Sequence, residues 1–269
     1  MRIAQITDSH VVAPGELWKG RVDMAAALEA AVARLNAIGP DLVVHTGDLV
    51  DGGGAAQYGV AREILGALRA PLRMVPGNHD VRDRMRAAFP DAGGEGAFLQ
   101  WREDAEGLRL IGLDTVAEGR TAGAFDHARA GFLRAALEGA EPALVFLHHP
   151  PCPMGLAHMD RFRFEGEAVV AEALGPRPPL RLACGHVHAA AERHWAGTLV
   201  SACPALGVRI PAEGGEVFGF HPGGAAIRLH DWDAATGLTV KTVPVDPGAG
   251  PFPFEADPDA DFDATPRHG

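Results

Sequence analysis

Cysteine is scarce: Cys152, Cys184 and Cys203 are the only three in 269 residues. The number is odd and no two form a CxxC pair, which argues against a disulfide framework and against a thiolate zinc site. All three read as small core hydrophobes. Long apolar runs are missing too. No stretch approaches the ~20 residues that span a bilayer. Met1 leads straight into Ile3-Ala4-Gln5-Ile6 with no basic segment, apolar stretch and cleavage site before it, so a reduced, cytoplasmic protein is expected. Positive charge is in deficit, with 24 Lys and Arg against 35 Asp and Glu, a net −11. A nucleic-acid polymer or an anionic membrane, both of which reward a basic face, is therefore a poor partner.

Hydrophobic side chains are plentiful at 47%. One domain is expected over residues 1–245, followed by an acidic, Pro- and Gly-rich tail over 246–269. Five short apolar runs each end in acid, amide or imidazole: RIAQITDSH, DLVVHTGD, PLRMVPGNHD, PALVFLHHP and PLRLACGHVH. Runs of this length, rich in Val, Ile and Leu, suit buried strands. Helical stripes lie between several of them. One repeats through Met24, Leu28, Ala31, Val32 and Leu35, one through Tyr58, Ala61, Ile64 and Leu65, and a shorter one through Phe132, Leu133 and Ala136. The alternation predicts an α/β fold with parallel strands, which these patterns place in a single sheet. After residue 190, ERHWAGTLVSA, AAIRLHDW and LTVKTV read as antiparallel strands. That region (about 190–245) and the segments around Phe218, Phe220, Phe252 and Phe254 are expected to serve subunit contact.

Loops leaving the carboxyl ends of parallel strands share one edge of a sheet, so the five clusters can converge. They offer Asp8, His10, Asp48, Asn78, His79, His148, His149, His186 and His188. Mixed imidazole and carboxylate suit Zn, Mn, Fe or Co better than Ca or Mg. The set is too large for one catalytic ion with three protein ligands, and matches two ions about 3.5–4 Å apart. His45, inside a run, reads as a core histidine, and His149 as a hydrogen-bonding neighbour of His148. Asp114 reads as a turn or cap residue, and His127, His194, His221, His230 and His268 as structural or exposed.

In the order DxH, GD, GNHD, His after an apolar strand, and GHxH, these motifs resemble the calcineurin-like binuclear metallophosphoesterases over residues 2–190. The resemblance implies a four-layer sandwich, two mixed β-sheets flanked by helices. It also implies that Asp8, His10 and His188 hold one divalent transition-metal ion, Asn78, His148 and His186 a second, and that Asp48 bridges them. Hydrolysis would proceed by a metal-bridging hydroxide, with His79 acting on the substrate. In this reading Gly77 supplies a sharp turn, and Asp80 orients His79 or its loop. Segments 16–23 and 148–167, with QYGVAREIL, are similar to the glycerophosphodiesterase branch of the class III cyclic nucleotide phosphodiesterases. This makes Trp18, Arg21, His158 and Arg161 candidate substrate contacts. Small anionic diesters are the implied substrates, glycerophosphodiesters first and 3′,5′-cyclic nucleotides second. A phosphomonoesterase or phosphoprotein phosphatase is a further alternative, and a homodimer or larger homo-oligomer is implied. A non-enzymatic binding module ranks last, because every ligand position holds a competent residue.

Overall fold

The computed structural model describes residues 1–94, 96–212 and 218–248. All five apolar runs are strands. In chain order the elements begin β1 (Arg2–Ile6), α1 (Met24–Ile38), β2 (Leu42–His45), α2 (Ala55–Leu65), β3 (Leu72–Met74) and α3 (Arg82–Ala88). Next come β4 (Trp101–Ala105), β5 (Leu108–Leu113), α4 (His127–Ala136), β6 (Ala143–Leu147), α5 (Glu167–Leu174) and β7 (Arg181–Cys184). The chain continues through β8 (Ala191–Trp195), β9 (Thr198–Ala202), β10 (Val208–Arg209), β11 (His221–Pro222), β12 (Ala226–Asp233) and β13 (Gly237–Pro244). Local chemistry sets the helix limits. The Asp23 carboxylate accepts from Ala26 N–H to start α1, and Gly39, at φ 65°, ends it.

The strands do not share one sheet. One sheet runs β13-β12-β1-β2-β3 and a second runs β4-β5-β6-β7-β9-β8. Three apolar clusters show how these stack. Ile3, Leu42 and Val44 of the first sheet meet Trp101, Leu110, Leu144, Phe146 and Ala183 of the second, forming the middle of the molecule. The other face of the first sheet packs on α1, α2 and α3. The other face of the second packs on α4 and α5. The result is four layers, helix-sheet-sheet-helix.

The later strands are built into this frame rather than appended to it. β12 pairs antiparallel with β1, and β13 with β12, while β9 pairs parallel with β7. Phe252, Phe254, His268 and most of the tail lie outside the described residues. A bidentate pair ties the halves together: Arg82, opening α3, donates to both oxygens of the buried Asp114 after β5, at 2.7 and 2.9 Å. Asp114 also accepts from Val116 N–H, so its turn role is real and the ion pair is added to it.

Phe146 is fully buried between the sheets, its ring centroid 6.2 Å from that of Trp101. Phe146→Ala is therefore expected to cost about 3–5 kcal/mol. Urea unfolding followed by circular dichroism measures it, and a loss below about 1 kcal/mol would contradict this placement of the core.

Candidate metal centre

β1, β2 and β3 end beside β6 and β7 at the same edge of the sandwich, so the five clusters converge across two sheets. Five residues there hold left-handed backbone without being glycine: Asp8 (φ 54°), His10 (39°), Asp48 (52°), His186 (70°) and His188 (53°). Each such residue costs on the order of 1–3 kcal/mol and persists only where the surroundings impose it, which is common at functional sites.

The glycines of the motifs serve close approach. Gly77 has no left-handed backbone to accommodate, but a Cβ on it would lie 2.2 Å from Asp48 Oδ1. A Cβ on Gly185 would lie 2.1 Å from Thr7 Oγ1 and 2.9 Å from Asp8 Oδ2. The expected turn at Gly77 is present, closed by Asp80 N–H on the Gly77 carbonyl at 3.0 Å, and the bare backbone is needed besides, where two loops clasp a carboxylate.

The convergent atoms are tightly spaced. Nε2 of His10 and Nε2 of His188 are 3.1 Å apart, and His188 Nε2 is 3.3 Å from Asp8 Oδ1. Asp48 Oδ2 is 3.6 Å from His10 Nε2 and 3.3 Å from His148 Nε2, so it reaches both groups. Ligand-competent clusters form from Asp8, His10 and His188, from Asp8, Asp48 and His148, and from His148, His149 and His186. His148 Nδ1 lies 2.8 Å from the Thr46 carbonyl, which fixes a hydrogen there and makes Nε2 the atom that would ligate an ion. Buried Asp8 Oδ1, His148 Nε2 and His186 Nε2 have no hydrogen-bond partner. Leaving such atoms unsatisfied costs about 1–3 kcal/mol each, a debt that cations would cancel. The donor set fits a metal centre.

Asp51, which the sequence motifs did not single out, organises the front of the site. Its carbonyl oxygen is 2.6 Å from His79 Nδ1, its carboxylate accepts the Trp18 indole N–H at 2.7 Å, and His10 Nδ1 stands 3.3 Å away. Burial would raise its pKa, but His10 and Trp18 hold it down to about 2. Burial also pulls His79 downward. The Asp48 charge and the Asp51 carbonyl outweigh it and hold that imidazole above its usual value. The Asp80 carboxylate is engaged by the loop and by α2. It accepts from Gly77 N–H, Leu49 N–H and the Tyr58 hydroxyl, so it shapes the loop, and burial together with the Asp48 charge pushes its pKa up to about 6.

Burial, reinforced by His148, pushes His186 down to about 3, keeping its ring neutral. His45 is a satisfied core histidine. Its Nδ1 accepts from Gly47 N–H and its Nε2 faces Ser9 Oγ at 2.8 Å, and burial lowers it to about 4.

A cavity of about 440 Å³ opens over these groups. Its walls carry the rings of Trp18, Phe162, Phe218 and Phe220, with Lys19, Met159, Thr121 and Ile210. Of the expected substrate contacts, Trp18 is in the wall. Arg21 is exposed in the turn that follows it and does not line the cavity. Arg161 lies outside the lining as well, its guanidinium 5.0 Å from the Phe162 ring and 4.5 Å from the Phe218 ring. His158 packs against Phe218 at 5.2 Å, one layer back. Phe218 and Phe220, expected from the sequence to serve subunit contact, line the cleft. Phe220 meets Trp18 at 4.8 Å. Among the described residues no helix is long and apolar enough to cross a membrane.

Residues 1–190 match the calcineurin-like phosphoesterase family. A probable glycerophosphodiester phosphodiesterase, GpdQ, of Arcobacter nitrofigilis is 31% identical over 271 residues, covering 94% of this chain and 97% of the relative. The 3′,5′-cyclic adenosine monophosphate phosphodiesterase CpdA of Pseudomonas aeruginosa is 32% identical, covering 85% of each. A dimetal phosphatase from Danio rerio shares the fold, with a TM-score of 0.65 at 16% identity over 91% of this chain and 99% of that one.

Proposed function

The chain belongs to the calcineurin-like phosphoesterase family, and on that premise we propose that it hydrolyses small phosphodiesters, glycerophosphodiesters first, at a centre of two divalent ions. Asp8, His10 and His188 would hold one ion, Asn78, His148 and His186 the other, with Asp48 shared. The observation that carries this is the meeting of unpartnered Asp8 Oδ1, His148 Nε2 and His186 Nε2 around Asp48 at a buried point under an open cleft. Iron, manganese, zinc and cobalt all suit such mixed nitrogen and oxygen donors.

When bound, two such ions supply Lewis acidity towards the phosphoryl oxygens and a nucleophile at neutral pH. The chain's own groups do the rest. The Asp51 carbonyl takes the His79 Nδ1 hydrogen, so Nε2 is the atom available to a leaving oxygen. His79 N–H donates to Asp48 Oδ1 at 2.8 Å, which ties the acid to the shared carboxylate. The aromatic walls would flank the organic arms of a bound ester.

Preference for a diester is supported by what the walls hold. A dedicated monoesterase would gather Arg or Lys around a dianion. Here Lys19 is the only Lys or Arg in the described lining, and ring faces leave room for a second organic arm. The end-to-end similarity to GpdQ favours glycerophosphodiesters. A specific observation favours a second reading: the same rings offer faces on which a cyclic nucleotide base can stack.

The test is a substrate panel on the metal-loaded protein. Glycerophosphoethanolamine should show a higher kcat/KM than 3′,5′-cyclic AMP, and both should exceed glycerol 3-phosphate. Fastest turnover of cyclic AMP would select the second reading. Fastest turnover of glycerol 3-phosphate would overturn the diester assignment.

A further inference from the structure

Asn78 is the weakest donor in the proposed set. It is a neutral amide, only partly buried, on the loop after β3. A carbonyl oxygen can serve an ion, but the amide nitrogen at the other end of the same group has no lone pair to offer. Its usefulness depends on which way it is held.

One group holds it. His149 Nε2 stands 3.2 Å from Asn78 Oδ1, and His149 Nδ1 stands 2.8 Å from Thr115 Oγ1. Asn78 Oδ1 can only accept, and the Thr115 hydroxyl, which accepts the His149 backbone N–H at 3.2 Å, has a hydrogen of its own to give to Nδ1. The ring hydrogen therefore sits on Nε2 and is donated to Asn78 Oδ1, leaving that oxygen's second lone pair for an ion. The imidazole cannot swing away. It is 1% exposed, its centroid is 4.6 Å from that of His186 and 4.7 Å from that of His148, and a Cβ on Gly123 would come within 2.5 Å of it. The bond also joins the two sheets, because Asn78 follows β3 of the first and His149 follows β6 of the second.

We infer that His149 is a positioning residue that sets the affinity of the second ion by orienting the Asn78 amide, an inference that rests on the two-ion reading above. Mutations of groups that orient a metal ligand typically cost 10–100-fold in affinity, and the loss should fall on one ion only.

The experiment is calorimetric titration of metal-free protein with Mn²⁺, using the unmodified chain, His149→Phe, Thr115→Val, Asn78→Ala and the Asn78→Ala/His149→Phe pair. The unmodified chain should bind two ions. His149→Phe should weaken the second about 10–100-fold and leave the first within about twofold. Thr115→Val removes the hydroxyl that holds Nδ1, which loosens the ring, and should give a smaller loss at the same site, with less disturbance of packing. On the Asn78→Ala background, His149→Phe should change the second affinity by no more than about twofold, since its effect passes through the missing amide. The inference is overturned if both ions weaken equally, if the second is unchanged in His149→Phe and Thr115→Val, or if the losses add in the double variant. Failure of the unmodified chain to bind two ions would instead overturn the two-ion reading itself.

Discussion

Asp48→Ala is expected to leave the purified, dialysed protein with neither ion, and to reduce diester hydrolysis by more than the 10–100-fold typical of losing a group that only orients a ligand. The reason is electrostatic. Two unit charges 4 Å apart in water interact by ~1 kcal/mol, so two dications at that spacing repel by about 4 kcal/mol, and by more in a buried site. Asp48 is the carboxylate placed to offset this, since Oδ2 faces His10 on one side and His148 on the other at 3.6 and 3.3 Å. Its other oxygen accepts the His79 N–H, so the alanine variant also loosens the GNHD loop. Asp48→Asn separates the two effects, because it keeps an acceptor for that N–H while removing the charge. It should retain the loop and still lose at least one ion. Asn78→Ala, by contrast, should lose chiefly the second. Elemental analysis beside circular dichroism measures all three, and two tightly held ions in folded Asp48→Ala would refute the bridging assignment.

The candidate centre was legible in the sequence because its side chains sit where apolar runs stop. A buried strand reads as an unbroken run of Val, Ile and Leu, so any Asp, Asn or His at its end stands out. The division into two sheets was not legible from periodicity. β12 reaches β1 through partners such as Ile3 and His230, and no local pattern encodes a pairing across that separation. Only the resemblance of the ordered motifs supplied it.

The helices α3 and α5 were missed for opposite reasons. α3 is short and carries a single buried residue, Met85, while α5 reads as almost uniformly apolar in AVVAEAL. Within the site, Asp51 could have been found as the second acid of GDLVD, three residues after Asp48. Phe218 and Phe220 could not, because they reach the cleft from a segment some 200 residues beyond Trp18, against which Phe220 packs. The left-handed backbone at Asp8, Asp48 and His186 is likewise hidden. Sequence reasoning expects glycine in that region of conformational space, and here the tertiary frame enforces it on the proposed ligands.

His79→Ala should keep both ions yet lower kcat for diesters with alkoxide leaving groups by about 10²–10⁴-fold, the range general acid catalysis contributes. Three features of its setting support that size of effect. The ring lines the cavity, the Asp51 carbonyl 2.6 Å from Nδ1 fixes its orientation, and its backbone is anchored on Asp48. An alkoxide is a poor leaving group unless a proton reaches it as the P–O bond breaks, and Nε2 of His79 is the proposed donor. A nitrophenolate departs without that help. Activated aryl diesters should therefore lose far less, and a plot of log kcat against leaving-group pKa should become steeper in the variant.

Asp51→Asn provides an internal comparison. The tether to Nδ1 is a main-chain carbonyl, which the substitution leaves in place, and the new amide oxygen can still accept from Trp18. Its loss should accordingly be smaller than that of His79→Ala on the same alkyl diester. If His79→Ala slows alkyl and aryl diesters equally while retaining two ions, His79 serves the ground-state geometry of the centre and not the departing oxygen.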